Sequence, residues 1–490
     1  MKIRLVALCS LCCWGISLAA ESTVDPLTRC AELAAGWWQG REGVSVESLD
    51  PDTAIPACEQ ALAAHPHNPD LKAWLCRALI GAKRHDQALP LCRQAAAAGS
   101  AAGQWSLGTL YDFGFGVAED PRQAVQWYRQ AADQDYPWAQ HNLGMMYLHG
   151  RGVAADGMQA AAWFRRAAER GHARAQNNLG ALYADGHGVP HDDVQAVTWY
   201  RRAAQQGDAH GQTNLAWMIE NARGPARDDV QAALWYRRAA EQGHARAQNN
   251  LGVMYELGRG LPRDHELALN WFRRAAEQGH PQAQFNLGVM YANGRGVARN
   301  DAEAVAWYRR AVAQDEPRAL TNLGWMYANG WGVVRDDQQA LDWYRRAAEQ
   351  GDPDAQHNLG VMYGRGRGVP RDDARALNWF RRAAEQRHAG AQNNLAILYE
   401  IGRSVPRDDA RALAWYRQAA ELGDASAQTN LGWHYETGEG VPRDEQQAAR
   451  WYRRAAEQGH PRAQTNLGWL YEQGRGVERD PVQAVAWYRR

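Results

Sequence analysis

The chain has 490 residues, of which 55 are basic and 55 acidic, and 45% are hydrophobic. That length exceeds one ordinary core, and a formal charge of zero supplies no overall field for nucleic acid or an anionic bilayer, so neither is expected as a partner. Basic residues are almost all Arg, with Lys only at Lys2, Lys72 and Lys83.

Residues 1–20 carry Lys2 and Arg4 ahead of an apolar run from Leu5 to Leu18, and end in small residues including Ser17, Ala19 and Ala20. This reads as a cleaved secretory signal, with an uncleaved anchor as the alternative. No later stretch approaches the ~20 apolar residues of a membrane span, so none is expected after cleavage and the protein is assigned to the periplasm or the exterior. Cys9 and Cys12 lie inside the signal, which makes their C-x-x-C a decoy. Four cysteines remain: Cys30, Cys58, Cys76 and Cys92. An even number in an exported chain suggests two disulfides, with three connectivities open. Cys30 with Cys58 and Cys76 with Cys92 is favoured, because the second pair is symmetric about a turn at Gly81 to His85. A reduced, purely packing role is the alternative.

Residues 21–66 contain Gly36, Trp37, Trp38 and Gly40, then Pro51, Pro56 and Pro66. The segment reads as irregular apart from a short helix near 54–64, and as a cap on the first end of a helical stack. In 67–100, residues Leu75, Cys76, Leu79, Ala88, Cys92 and Ala95 keep the spacing of a tetratricopeptide repeat, which this stretch resembles. A helix pair is expected there, although Trp74 and Pro90 occupy positions that family does not specify.

From 101 to 490 one unit of 36 residues repeats eleven times without insertion. One slot holds Tyr111, Tyr147, Tyr183, Ile219, Tyr255, Tyr291, Tyr327, Tyr363, Tyr399, Tyr435 and Tyr471. A strict period of this length marks stacked supersecondary units that bury their apolar faces only against neighbours. The pattern around Tyr147 predicts helix A over 139–148, a glycine turn at Gly150-Arg151-Gly152-Val153, and helix B over 158–170. Nine residues after each slot stands an Asp, or Asn300, suited to cap helix B, worth roughly 1 kcal/mol each. Three residues before most slots stands a glycine, as at Gly144 and Gly288, where its helical cost of roughly 1 kcal/mol implies a close approach, here expected against the Ala-rich face of helix B. Tryptophans such as Trp163 and Trp307 on helix B are read as packing between repeats. The fold class is all-α, a right-handed superhelical solenoid of helix-turn-helix repeats.

The pattern A-x-x-N-L-G-x-x-Y-x-x-G-x-G-V-x-x-D followed by A-x-x-W-Y-R-R-A-A-x-x-G resembles the Sel1-like repeats, relatives of the tetratricopeptide repeats, over 101–490. The cysteine-bearing start is similar to the leader of exported bacterial members. Departures are Ala216 and Ala396 at the glycine, Ile219 at the tyrosine, and Ala222 and Ser404 in the turns. Repeat four, around Ile219, is therefore the expected irregular point.

Helical geometry, with Tyr147 as reference, puts Leu143, Ala139 and Met146 on a buried stripe and His141, Asn142 and Met145 on the far side. That far side carries an asparagine in ten repeats: Asn142, Asn178, Asn214, Asn250, Asn286, Asn322, Asn358, Asn394, Asn430 and Asn466. The resemblance to tetratricopeptide-like families implies that this position lines a concave groove and hydrogen-bonds an extended peptide. The alternative is that each amide ties a neighbouring repeat. Trp217, Trp325, Trp433 and Trp469 stand two before the slot, each four residues after Thr213, Thr321, Thr429 or Thr465, so Thr and Trp are expected to share a patch. Duplication of a three-repeat block would produce the same correlation.

Enzyme motifs are missing. Neither Lys72 nor Lys83 has a serine three residues earlier, and no K-T-G occurs. His172, His244, His280, His388 and His460 recur at the turns between repeats and read as capping residues rather than metal ligands. The sequence points to a non-catalytic exported scaffold or adaptor that binds protein or peptide, without cofactor or metal. Glycan or peptidoglycan binding is the second reading, and hydrolysis of a β-lactam or wall peptide the third.

Overall fold

A computed structural model describes residues 25–35, 37–38, 41–42 and 49–490. The signal assignment at 1–20 lies outside the described residues. The chain divides into two compact units, one ending at Gln242 and the other running from Gly243 to Arg490. Both are built from antiparallel helix pairs, an all-α helical-repeat solenoid, and among the described residues only Trp37–Trp38 and Arg41–Glu42 form a strand pair. No described helix is long and apolar enough to cross a membrane.

The first unit opens with α1 (Pro26–Ala34), α2 (Pro51–Ala64), α3 (Pro69–Gly81) and α4 (His85–Ala97). Helix α1 was not expected. Asp25 caps it, accepting from the Thr28 N–H, and Pro26 begins it with φ already helical. Its nine residues are too few for a legible period. Both favoured disulfides are present. Cys30–Cys58 ties α1 to α2 with Cα atoms 4.7 Å apart, and Cys76–Cys92 ties α3 to α4 with Cα atoms 5.5 Å apart.

The repeats occupy α5 (Ala101–Phe113) through α26 (Pro481–Tyr488). In the second repeat helix A is Pro137–His149 and helix B is Gly157–Glu169. Helix A ends because Gly150 turns left-handed at φ 67°, and its partner Gly152, at φ 68°, admits the backbone of Pro121, whose carbonyl oxygen would lie 2.3 Å from an added Cβ. Asp156 then accepts from the N–H groups of Met158 and Gln159 at 2.9 and 3.0 Å, while its own N–H donates to the Tyr147 carbonyl at 2.9 Å. The other caps at this position, from Asp120 to Asp480, likewise accept from the first turn of helix B.

The buried aromatic differs from the expected one. The slot tyrosines are half-buried except Tyr363 and Tyr399, and their phenols lie at the surface, where Arg165 donates to Tyr183 at 2.6 Å and Arg453 to Tyr471 at 2.7 Å. A phenol needs a polar partner, so the ring stops at the edge of the core. The sealed rings belong to helix B: Tyr128, Phe164, Tyr236 and Phe272 are all at 0% exposure. These rings, rather than the Ala face, explain the helix A glycines. A Cβ on Gly144 would lie 2.6 Å from Phe164 Cε1, and one on Gly288 the same distance from Tyr308 Cε1. The helix B tryptophans are half-buried or buried, and each of Trp163, Trp199, Trp235 and Trp271 lies under the guanidinium one turn later.

Repeat four departs as expected. Its helix A, Ala209–Glu220, is one residue shorter than that of the second repeat; Ile219 is buried, and Ala222 takes φ 54° without being glycine.

Candidate functional site

All ten asparagines are half-buried on helix A. Most have a structural bond to the preceding repeat through the amide nitrogen. Asn178 Nδ2 donates to His141 Nε2 at 3.1 Å, Asn214 to Asn177 Oδ1 at 2.9 Å, Asn286 to Asn249 Oδ1 at 2.9 Å, Asn394 to His357 Nε2 at 3.0 Å and Asn430 to Asn393 Oδ1 at 3.1 Å. In these five the acceptor is the residue preceding the asparagine of the previous repeat. Asn322 instead donates to the phenol of Tyr308 at 3.2 Å, and Asn178 and Asn250 also accept from Asn177 and Asn249. Side-chain bonds thus join successive amides from Asn142 to Asn214 in the first unit, and Asn249 with Asn286, His357 with Asn394 and Asn393 with Asn430 in the second, while the asparagines stay partly open to solvent.

A second ladder escaped the sequence reading. Gln134, Gln206, Gln242, Gln278, Gln314, Gln386 and Gln458 donate to Gln104, Gln176, Gln212, Gln248, Gln284, Gln356 and Gln428 of the preceding helix A, at 2.7 to 2.9 Å. The acceptors are buried, and several donate onward to a helix B carbonyl, as Gln176 does to Ala168 at 3.0 Å. The signal was the glutamine two residues before every asparagine of the row except Asn322, where Leu320 stands, and that regularity required buried partners.

Of the predicted tryptophans, Trp325 is exposed, while Trp217, Trp433 and Trp469 are half-buried. Arg223 lies over Trp217 and Arg475 over Trp469, while Trp325 meets Trp331 edge-on at 4.0 Å between centroids. The shared Thr and Trp patch does not form in repeats four and ten. Thr213 and Thr429 are 1% exposed and donate to the carbonyls of Ala209 and Ala425, because a hydroxyl one turn into a helix satisfies itself there. In repeat seven both residues line one cavity. Thr321 and Trp325 meet Asn322, Asn358 and Asp354 around about 400 Å³ in the second unit.

A cavity of about 280 Å³ in the first unit was not anticipated. Its walls include Trp105, Trp138, Phe113 and Phe115, with Arg77, Arg174 and Asn142 among them. Arg77 is 1% exposed, donates to the Ala34 carbonyl at 2.7 Å, and lies 5.5 Å from the centroids of Trp105 and Trp138. These residues come from α3, from α5 and the turn after it, and from the first helices of the next two repeats, and the aromatic ones share no repeat position, so periodicity could not group them.

The histidines at the turns cap helix A, as expected. His172, His244, His280, His388 and His460 accept through Nδ1 from the N–H three residues on. The histidines in the amide network are held neutral. Burial pushes His141 and His357 down to about 4, helped by the positive Arg174 beside the first and by His388 beside the second. No His, Cys, Asp and Glu cluster of metal-binding geometry occurs among the described residues.

A stack of paired helices bearing open polar and aromatic surface on helix A defines a helical-repeat protein of the interaction-scaffold class. Eleven consecutive matches to the Sel1 repeat cover 101–136, 139–172, 173–208, 209–244, 245–280, 281–316, 317–352, 353–388, 389–424, 425–460 and 461–490, and the chain belongs to that family. Residues 46–107 match the tetratricopeptide repeat. The crystal structure of c5321, a protective antigen present in uropathogenic Escherichia coli strains and displaying an SLR fold, is similar at 39% identity and a TM-score of 0.69, over 82% of this chain and 86% of that one. A Sel1 repeat protein from Oxalobacter formigenes is 35% identical over 63% of this chain and 89% of its own, with a TM-score of 0.47. No curated protein matches the chain. Sel1 and tetratricopeptide-like proteins are typically scaffolds for protein interaction, and the fold is typically non-catalytic.

Proposed function

We propose that the protein is an exported, non-catalytic scaffold that binds an extended segment of a partner protein along the helix A face. The observation that carries this reading is the cavity where Asn322 and Asn358, from successive repeats, meet the exposed Trp325. Amides offer donors and acceptors to a peptide backbone, and an aromatic ring nearby supplies the apolar anchor that dominates such contacts. Asn142, Asn178, Asn214, Asn250, Asn286, Asn394, Asn430 and Asn466, with Trp217, Trp433 and Trp469, extend the same surface within their own units. Export to the periplasm or exterior is supported by the two disulfide pairs, which persist in oxidising compartments.

The test is photo-crosslinking in the native cell, with a photoreactive residue replacing Trp325 and, as control, Arg345 on helix B. A discrete protein adduct is expected from position 325 and not from 345. Equal labelling at both, or adducts confined to cell-wall glycan, would refute peptide binding; the latter would favour the glycan alternative.

A further inference from the structure

We infer that the aromatic cavity of the first unit is a side-chain pocket for a peptide in which a bulky apolar residue adjoins an acidic one. This rests on the proposed reading of the helix A face as a peptide-binding surface, and adds which sequence it selects. The volume, about 280 Å³, is near the lower bound of ligand pockets, roughly 300 Å³, and suits a single large side chain with its neighbour rather than a cofactor. Trp105, Trp138, Phe113, Phe115 and Ile80 provide the apolar walls, and Phe113 is 54% exposed at the mouth.

The polar groups of the lining differ in what they offer a ligand. Thr109 donates to the Trp105 carbonyl, and Asn142 is held by His141 and Tyr128. The His141 ring is tied to Asn142 and Asn178, and Arg77 spends one donor on the Ala34 carbonyl; the lining nevertheless carries the positive charge of two guanidinium groups, from Arg77 and Arg174, and an indole N–H of Trp105 that meets no acceptor among the described residues although the residue is 4% exposed. A buried donor is stabilised by an acceptor, and positive charge in an apolar wall favours a carboxylate and rejects a cation. Aromatic or branched side chains fill the walls; Asp or Glu beside them meets the guanidiniums. Asn142, the first of the asparagine row, lines this cavity, so the pocket lies on the same helix A surface as the amides.

The experiment probes an array of immobilised random twelve-residue peptides with the purified full chain and with two exposed-site variants, Arg174→Glu and Phe113→Ala, each checked for wild-type circular dichroism and melting. Wild type is expected to enrich peptides with an aromatic or branched residue next to Asp or Glu. Phe113→Ala should bind the selected peptides at least about tenfold more weakly, a loss of ~1.4 kcal/mol. Arg174→Glu should transfer the preference to Lys or Arg neighbours, a change that lost stability alone would not produce. Enrichment that ignores acidic neighbours, or that both variants leave unchanged, would overturn the pocket assignment alone. Enrichment of no peptide, together with absent crosslinks at position 325, would overturn the peptide reading itself.

Discussion

Replacing Gly288 with alanine tests the close approach on which the stacking depends. Two effects oppose each other. Alanine favours the helical backbone over glycine by ~1 kcal/mol. Against that, the new Cβ would lie 2.6 and 2.7 Å from Cε1 and Cδ1 of Tyr308 and 3.3 Å from the Ala304 carbonyl oxygen. Ordinary carbon contacts are ~3.5–4.0 Å, so the ring or the helix must retreat by about 1 Å. Tyr308 is 2% exposed and its phenol accepts from Asn322, so a retreat of the ring strains or breaks that bond. Overpacking of this kind costs ~1–3 kcal/mol, and a rigid ring puts it at the upper end, leaving Gly288→Ala destabilised by about 1–2 kcal/mol. Ala396 provides the control, because its repeat already accepts the methyl at 0% exposure. Ala396→Gly should also destabilise, by ~1 kcal/mol or more, from lost propensity and lost packing. Repeat arrays unfold in pieces, so the assay is hydrogen exchange resolved on Pro281–Asn293 alongside urea denaturation. A Gly288→Ala protein as stable as wild type, or more so, would show that propensity wins and that the ring contact is not what selects glycine.

The chemistry of the first unit and of the amide network yields two further expected outcomes. Cys76→Ser with Cys92→Ser opens a loop of sequence separation 16 and should lower stability by ~3 kcal/mol in thermal melts, as should reductant on wild type; an unchanged melting temperature would contradict this. His141 and His357 titrate near 4 when folded, below the ordinary value of about 6.5, so the unfolded chain binds more protons between those values. Stability is therefore full above about pH 6.5 and falls as pH drops toward 4, where protonation also removes the acceptors for Asn178 and Asn394. Replacing both by Asn, as Asn177, Asn249 and Asn393 already stand at that position, should flatten the fall in the urea midpoint over this range; an unaltered slope would refute the role of these two rings.

The repeat unit, its helix boundaries, the Asp caps and the irregularity at Ile219 were all legible in the order of residues, because each depends on interactions within some ten positions of chain. A glycine that must turn left-handed, or a carboxylate that must meet the first turn of a helix, declares itself locally. The Cys76–Cys92 pairing was legible from its symmetry about the turn at Gly81 to His85, whereas the geometry of Cys30–Cys58, 28 residues apart, depends on a helix that the sequence did not reveal. Helix α1 was missed because nine residues do not show a period, and the glutamine ladder because its donor and acceptor stand 30 residues apart in chain.

The asparagine row marks the boundary between the two kinds of knowledge. Its regularity was plain at once, yet only the stacking of one helix A on the next showed that the amide nitrogen of Asn178 is spent on His141, while Asn322 and Asn358 open onto a cavity beside Trp325. Which aromatic is sealed was likewise decided in three dimensions: slot phenols such as those of Tyr183, Tyr291 and Tyr471 meet an arginine at the edge, and the helix B ring presses on the glycine instead. The pocket between Trp105 and Trp138 belongs wholly to tertiary structure, since Arg77, Trp105, Trp138 and Arg174 come from four different helices. Local order dictates a repeat because neighbouring residues choose the backbone; a binding surface depends on which side chains remain unsatisfied after the repeats have stacked, and that is settled only by packing.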